Sequence, residues 1–169
     1  MYPEAIQWLL NRRSIRSFHS DPVADETIEL ILQAAMAAPS ANNKKPWHFL
    51  TITDRAVLNR IAEVHPFAKM CREAPLVIVV CAEPDQSPNY WEQDCAAATE
   101  NILLAGTSLG LGTVWLGVHP RLERKRDLQR LFDLPATIEI LSMVAIGRPA
   151  EVKEPRTQYD PARVHRENW

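Results

Sequence analysis

Apolar residues recur every three to four positions in several parts of the chain, which is the spacing of an amphipathic helix. In one of these parts Asp25 precedes Ile28, Ile31 and Leu32, so we expect Asp25 to cap a helix that stops before Pro39. The helices predicted in this way are a short one after Pro3, one from Asp25 to before Pro39, Arg55–Val64 with Asp54 as its cap, a longest one over about Trp91–Leu109, and Arg121–Phe132.

Extended segments lie between the predicted helices and are rich in β-branched and aromatic residues. The run Leu76–Ala82 has no polar residue at alternate positions, so it should be a central strand buried on both faces. The other predicted strands are Trp47–Thr53, Thr113–Val118 and Glu139–Ile146. Because strands and helices alternate along the chain, the fold class is either α/β or α+β.

The last part of the chain, residues 147–169, is rich in Pro, Arg, Lys and Glu and shows little periodicity. This composition predicts an extended arm rather than a core element. Such an arm would gain contacts by lying across a second subunit, and a partly ordered tail is the alternative. No internal repeat and no linker divides the sequence, so residues 1–169 are predicted to form one domain.

Composition and charge narrow the classes of function. Of the 169 residues, 46% are hydrophobic and 24% are charged, which is typical of a globular protein. A net charge of −2 gives no broad basic surface for nucleic acid, and the longest apolar runs fall short of the roughly 20 residues of a membrane-spanning helix. No nucleic-acid or membrane partner is therefore expected.

The three cysteines and the N-terminal segment indicate the cellular compartment of the protein. Cys71, Cys81 and Cys95 lack CxxC spacing, which predicts reduced thiols rather than a disulfide or a metal site. The first residues do not show the charged, apolar and small-residue order of a secretory signal. We therefore expect a cytoplasmic protein without a metal centre.

A basic and hydroxyl-bearing cluster follows the first predicted helix and consists of Arg12, Arg13, Ser14 and Arg16. Guanidinium groups bind phosphate oxygens through paired hydrogen bonds, and a serine hydroxyl adds a further donor. The cluster is a candidate anion site, with a solvated basic patch as the alternative. The sequence shows no glycine-rich phosphate loop, nucleophile elbow or zinc-binding helix motif that would suggest another chemistry.

The loop between Pro39 and Trp47 carries polar groups that suit a heterocycle. Ser40, Asn42 and Asn43 present hydroxyl and amide groups that match the donor and acceptor edge of such a ring. The alternative is an ordinary solvent-exposed turn, which would also be polar.

The strand predicted at Thr113–Val118 contains Gly117 beside two bulky residues, Trp115 and Leu116. A glycine there lets a backbone N–H come close to a flat ligand, and hydrogen bonds to ring atoms are how proteins tune a flavin. In the alternative interpretation Trp115 is a core residue and Gly117 only belongs to a turn.

Taken in order, these segments resemble the nitroreductase family. The shared motifs are R-R-S-I-R-S-F from Arg12, P-S-x-x-N-x-x-P-W from Pro39, G-x-x-W-L-G from Gly112 and I-G-R-P-A from Ile146, and the resemblance extends from Arg12 to about Arg156. It implies an α+β fold, a three-layer sandwich with a central, mostly antiparallel sheet flanked by helices. It also implies an intertwined homodimer with a C-terminal arm and two FMN sites built from both subunits.

The resemblance implies which residues hold the FMN phosphate and ribityl chain. They are Arg12, Ser14 and Arg16, with Arg13 adjacent. One residue of the tail is expected to complete the phosphate site, and the candidates are Arg148, Lys153 and Arg156.

Other residues are implied to meet the rest of the cofactor. Ser40 and Asn43 of the partner subunit would contact the isoalloxazine or ribityl side. Leu116 and Gly117 would lie against the ring near its reactive nitrogen.

The implied function is that of an FMN-dependent oxidoreductase. NADH or NADPH would reduce the flavin, and a small aromatic acceptor such as a nitroaromatic or a quinone would then take the electrons in a ping-pong cycle that needs no side-chain acid or base. The acceptor pocket would be shaped by residues 67–73 and by Tyr90, Trp91 and Glu92, which could equally be capping and core residues.

Three alternatives stay open at the level of sequence. The first is a relative specialised for reductive dehalogenation or for the breakdown of its own flavin. The second is a non-catalytic FMN-binding protein that stores or senses flavin. The third is a protein whose arginine cluster binds another phosphorylated metabolite and no flavin.

Lys45 departs from the family pattern, in which many relatives have glutamine before the Pro-Trp pair. A cation near the pyrimidine end of the flavin would stabilise the anionic reduced form and raise its midpoint potential. We predict that Lys45→Gln lowers the midpoint potential of the bound flavin, measured by spectroelectrochemical titration. An unchanged potential would mean that Lys45 points into solvent.

Overall fold

The computed structural model describes residues 2–155 and 157–169. Helices and strands alternate along these residues, with short 3₁₀ turns in several connections. The elements are α1 (Glu4–Asn11), α2 (Asp25–Met36), β1 (Trp47–Ile52), α3 (Arg55–Val64), β2 (Leu76–Ala82), α4 (Trp91–Ser108), β3 (Gly112–Gly117), α5 (Leu122–Leu131) and β4 (Glu139–Gly147).

The strands form one antiparallel sheet in the order β1-β2-β4-β3. Every residue of β2 is buried, as the uniformly apolar run predicts. Successive β2 side chains point to opposite faces, so Val77 and Val79 join an apolar cluster with α3 and α5, whereas Ile78 and Val80 join one with α2 and α4. The three-layer α+β sandwich is thereby confirmed, and the α/β alternative is wrong because no described strand pair is parallel.

Most element boundaries agree with the sequence prediction to within one residue. Asp54 caps α3 as expected, since its carboxylate accepts the N–H of Val57 at 3.0 Å. Asp25 does not cap α2: Ala24 holds the cap position, and Asp25 is the first helical residue, where its charge favours the positive end of the helix dipole. Within the described residues, none of the helices combines the length and apolarity that a bilayer crossing requires.

Several of the elements differ by one residue from their predicted bounds at one end or at both. β1 ends one residue before Thr53, α4 one before Leu109, and α5 is one residue shorter than predicted at each end. β4 continues by one residue, to Gly147. β3 begins one residue earlier than predicted, with Gly112 opposite Gly147. It also ends one residue earlier, because the amides of both Val118 and His119 donate to the carbonyl of Leu141 and so break the regular pairing after Gly117.

The first part of the expected arm runs back along the start of its own chain. The Ala150 N–H donates to the Ser17 carbonyl at 2.9 Å, and the His19 N–H donates to the Arg148 carbonyl at 2.9 Å. The described residues from 157 onward are exposed and include a 3₁₀ turn at Pro161–Arg163. The arm across a second subunit and the homodimer stay predictions.

The basic cluster is fixed to the sheet through one buried residue. Ile15 lies in the core, and its N–H donates to the Thr113 carbonyl at 2.9 Å. Gly112 makes this contact possible because a Cβ at that position would lie 2.8 Å from Cγ2 of Ile15. Because Gly112 has no side chain, the basic cluster can approach β3 closely.

We predict that Gly112→Ala lowers the free energy of unfolding by about 1–3 kcal/mol, because the added methyl group overpacks the contact with Ile15. Urea denaturation of both proteins measures the difference. Gly117→Ala is the matched control, since a Cβ there meets no atom within 4 Å. Equal destabilisation in the two variants would contradict the close approach.

Candidate functional site

A polar cavity of about 380 Å³ lies where α1 runs into the basic cluster; we name it the basic cavity. Among its described lining residues are four basic side chains and no acidic one. The lining consists of Leu9, Leu10, Arg12, Arg13, Ser14, Arg16, Lys153, Thr157 and Gln158. The structure thus brings the predicted cluster together around one concave surface, which is what binding of an anion requires.

The tail is fixed to the cluster by several hydrogen bonds. Nζ of Lys153 donates to the Ser14 carbonyl at 2.6 Å, and the guanidinium of Arg13 donates to the Glu154 carbonyl. The Glu151 carboxylate accepts the N–H of Arg16 and lies 3.1 Å from Nζ of Lys153. These two contacts, led by the Arg16 N–H, lower the pKa of Glu151, so it is ionised at neutral pH and balances part of the charge of Lys153.

The three tail candidates occupy different positions. Lys153 lines the basic cavity. Arg148 does not line it; its Nε donates to Oδ2 of Asp21 at 3.0 Å, and this hydrogen bond lowers the pKa of Asp21. Arg156 lies outside the described residues. The structure therefore brings Lys153, and not Arg148, into the basic cavity.

A second cavity, of about 500 Å³, lies along the free edge of β3; we name it the edge cavity. It lies between the strand edge and the segment that follows α3, and its lining is largely apolar. The lining consists of Arg16, His65, Pro66, Phe67, Lys69, Met70, Val114, Trp115, Leu116 and Gly117. Arg16 lines both cavities, so the basic cavity and the edge cavity adjoin at this residue.

Backbone groups of β3 face the edge cavity. The carbonyls of Thr113 and Gly117 accept hydrogen bonds from residues outside the sheet, so both point away from β4. In an antiparallel pair the backbone groups of every second residue face the same side. The N–H and carbonyl of Trp115 and the N–H of Gly117 consequently face the edge cavity, where a flat ligand would find donors and an acceptor.

The two side chains next to Gly117 have different environments. Leu116 is 3% exposed and packs into the apolar cluster beneath the sheet, so its side chain belongs mainly to the core. Trp115 is 36% exposed. Sequence reasoning assigned the ligand contact to Leu116 and treated Trp115 as a possible core residue, whereas the structure gives the more exposed position to Trp115.

His65 is a site residue that sequence reasoning missed. It is 1% exposed, and its Nδ1 accepts the N–H of Phe67 at 3.3 Å. The ring proton therefore lies on Nε2, which donates to the Gly117 carbonyl at 3.0 Å. Burial lowers the pKa of His65, so the ring is neutral at physiological pH. No spacing or motif in the sequence marks this contact, because its partners are far apart along the chain.

Arg124 on α5 is a second missed residue. Its guanidinium donates to the same Gly117 carbonyl at 3.1 Å and lies 5.1 Å from the ring centroid of Phe67. In the sequence it is one of several basic residues on the polar face of an amphipathic helix. Only the tertiary structure distinguishes it from Arg126 or Arg130.

The comparison with protein families decides the identity. A model described as the nitroreductase family matches residues 9–66 and 63–148. The chain belongs to the nitroreductase family. The resemblance inferred from the motifs is thereby confirmed.

Individual relatives match nearly the whole chain. A protein from Archaeoglobus fulgidus, named as an NADH dehydrogenase/NAD(P)H nitroreductase, is 46% identical, and the alignment covers 98% of this chain and 99% of that protein. A crystal structure of a similarly named protein from Parabacteroides distasonis has a TM-score of 0.96 at 38% identity and covers 99% of this chain and 100% of that one. A nitroreductase from Desulfovibrio desulfuricans, crystallised with FMN, has a TM-score of 0.85 at 29% identity and covers 100% and 99% of the two chains.

The loop that the nitroreductase motif places at residues 39–47 does not line either cavity of its own protomer. Its conformation is nevertheless fixed: the Ala41 N–H donates to Asp94 at 2.9 Å, and Lys45 donates its N–H to Oγ of Ser40 at 3.0 Å. Asp94 is 5% exposed and also accepts from Ser87. Asn42, Asn43 and Lys45 have φ of 51°, 56° and 51°, a left-handed conformation that asparagine tolerates better than lysine.

The residues expected around the acceptor separate into two groups within one protomer. Phe67 and Met70 line the edge cavity. Trp91 and Glu92 line a different cavity, where Trp91 packs edge-on against His119 at 4.9 Å and Glu92 lies 3.1 Å from Nε2 of that histidine. Tyr90 is exposed beside them. In a single protomer only the first group adjoins the β3 edge.

We predict that Lys153→Met weakens FMN binding about tenfold, because a charge-assisted hydrogen bond contributes about 1.5–3 kcal/mol. Fluorescence titration of the FMN-free protein measures the dissociation constant. Arg148→Met is the matched control in the same tail and should leave it nearly unchanged. Stronger weakening in Arg148→Met than in Lys153→Met would contradict the assignment of Lys153.

Proposed function

We propose that the protein is an FMN-dependent oxidoreductase that passes electrons from NADH or NADPH to a small aromatic acceptor, such as a nitroaromatic or a quinone, by a ping-pong cycle. Family membership supports the enzyme class predicted from the sequence, an NAD(P)H-dependent oxidoreductase. The related structure that contains FMN supports the choice of cofactor.

The observation that carries this proposal is the junction of the two cavities at Arg16. FMN has an anionic phosphate at one end, a flat ring at the other and a polar ribityl chain between them. The basic cavity suits the phosphate through Arg12, Ser14 and Lys153, and the edge cavity suits the ring. Arg16 would lie beside the ribityl chain.

The groups of β3 that face the edge cavity fit the edge of an isoalloxazine ring. The N–H of Gly117 would donate to a ring nitrogen, and the N–H and carbonyl of Trp115 offer a further donor and acceptor. The bound cofactor would supply two-electron redox chemistry. The described residues of the chain would bind and orient the ring and exclude water from one of its faces, without acting as an acid or base.

The lining of the edge cavity supports a planar, weakly polar acceptor. Phe67 is 66% exposed, and Met70 and Trp115 line the same space. Aromatic and thioether side chains interact well with aromatic rings. A nitroaromatic or quinone could therefore stack between the flavin and the side chain of Phe67.

We further propose that the working unit is a homodimer. The described residues of α1 include no buried side chain, although Ile6, Trp8 and Leu9 are large and apolar. Burial of such side chains against a second copy is favourable. Ser40 and Asn43 lie outside both cavities of their own protomer, so contact with FMN would have to come from the partner subunit.

Absorption spectroscopy of the purified protein tests the proposal. We predict flavin bands that bleach under anaerobic conditions on addition of NADH or NADPH and return on addition of a quinone. Bands that do not bleach with either nicotinamide would indicate a flavin-storage protein. A protein that remains colourless after incubation with FMN would contradict the proposed cofactor.

A further inference from the structure

Two side chains connect the opposite walls of the edge cavity. His65 donates from Nε2 to the Gly117 carbonyl on β3 and accepts at Nδ1 from the N–H of Phe67 on the other wall. Arg124 makes the same connection differently: it donates to the Gly117 carbonyl and lies over the ring of Phe67. The carbonyl of Gly117 therefore accepts two hydrogen bonds, both from side chains that also contact Phe67.

These contacts restrain Gly117 beyond what its pairing with β4 provides. It is the last residue of β3, and the regular pairing with β4 breaks immediately after it, where the amides of Val118 and His119 share one carbonyl. It has no side chain, and a Cβ placed there would meet no atom within 4 Å. A glycine in such a position is conformationally free unless its peptide groups are bonded.

We propose that His65 and Arg124 are positioning residues. By holding the Gly117 carbonyl they limit rotation about the backbone of Gly117, so that its own N–H, which lies in the preceding peptide, keeps its direction toward the flavin ring. By holding Phe67 they set the width of the space that receives the acceptor. This inference rests on the proposed function, because it takes the ligand at the β3 edge to be FMN.

The two donors differ chemically, and each can hold both the Gly117 carbonyl and Phe67 in place. Burial keeps His65 neutral, which preserves Nδ1 as an acceptor for the Phe67 N–H while Nε2 donates. Arg124 is charged and makes the stronger type of hydrogen bond to a carbonyl. Its planar guanidinium can also stack on the phenyl ring, which a lysine ammonium cannot do in the same way.

The direct test compares Arg124→Met with the parent protein, both loaded with FMN. We expect the variant to shift the visible flavin bands and the midpoint potential, because the N–H that faces the ring is no longer held in one direction. The rate constant of anaerobic bleaching at saturating nicotinamide should fall about tenfold, the usual effect of losing one well-placed hydrogen bond. The dissociation constant of FMN should change by less than about threefold, because the phosphate contacts are intact.

Three further variants separate positioning from general structural damage. Arg126→Met removes an exposed arginine from the same helix and should behave as the parent protein. Arg124→Lys should have a midpoint potential between those of Arg124→Met and the parent protein, because lysine retains a donor but not the stacking on Phe67. His65→Gln should likewise stay closer than His65→Leu to the flavin spectrum, midpoint potential and bleaching rate of the parent protein, because glutamine keeps a donor for Gly117.

Hydrogen exchange provides a readout that needs neither flavin nor turnover. In the FMN-free protein, the amides of residues 115–118 should exchange faster in Arg124→Met than in the parent protein and in Arg126→Met. The difference should be confined to the end of β3 and the segment around Phe67. Uniformly faster exchange over the whole chain would instead show a loss of global stability and would count against positioning.

The outcomes distinguish this inference from the proposed function. If the parent protein binds FMN and bleaches with a nicotinamide, but Arg124→Met and His65→Leu keep its spectrum, potential and bleaching rate, only the positioning role is wrong. If His65→Leu does not fold, Arg124→Met decides alone. A parent protein that binds no FMN refutes both claims.

Discussion

The hydrogen bond from the Ile15 N–H to the Thr113 carbonyl joins the basic cluster to the edge of the sheet. Ile15 is buried, and the neighbouring Gly112 has no side chain to keep it away. The residues on either side of Ile15, Ser14 and Arg16, therefore line a cavity while their backbone is held against β3. Without this contact, the basic cluster and the free edge of β3 would have no fixed separation.

The tail completes this arrangement from the other end of the sequence. β4 lies next to β3 in the sheet, so the chain leaves the sheet beside the cluster and turns back along residues 17–19. Lys153 then reaches the Ser14 carbonyl, and Glu151 accepts the N–H of Arg16. One cavity is thus built from residues about 140 positions apart, which makes it sensitive to the integrity of the whole sheet.

Sequence reasoning succeeded where a property is local. The uniformly apolar β2, the cap at Asp54 and the cluster Arg12–Arg16 could each be recognised from neighbouring residues. The choice between α/β and α+β could not be made from neighbouring residues, because it depends on strand pairings, such as Leu76 with Ile146, that leave no local signal in the sequence. The order of the family motifs along the chain supplied that information instead.

In the candidate site, too, some features are visible in the local sequence and others arise only in the folded chain. The residues of the basic cluster are close in sequence, so their order along the chain made the cluster recognisable. His65, Gly117 and Arg124 meet only in the folded chain, and a buried histidine that satisfies a carbonyl looks like any other histidine in the sequence. Arg148 and Lys153 are both cationic residues of the same tail, and only the folded chain distinguishes them: Lys153 lines the basic cavity, whereas Arg148 pairs with Asp21.

In the proposed binding mode one ligand spans both cavities, with its phosphate among Arg12, Ser14 and Lys153 and its ring at the β3 edge. The decisive test compares the affinities of the FMN-free protein for FMN and for riboflavin, which lacks the phosphate. We expect FMN to bind at least about 100-fold more tightly, as two charge-assisted hydrogen bonds would provide. Equal affinities for the two flavins would contradict the claim that the basic cavity holds the phosphate.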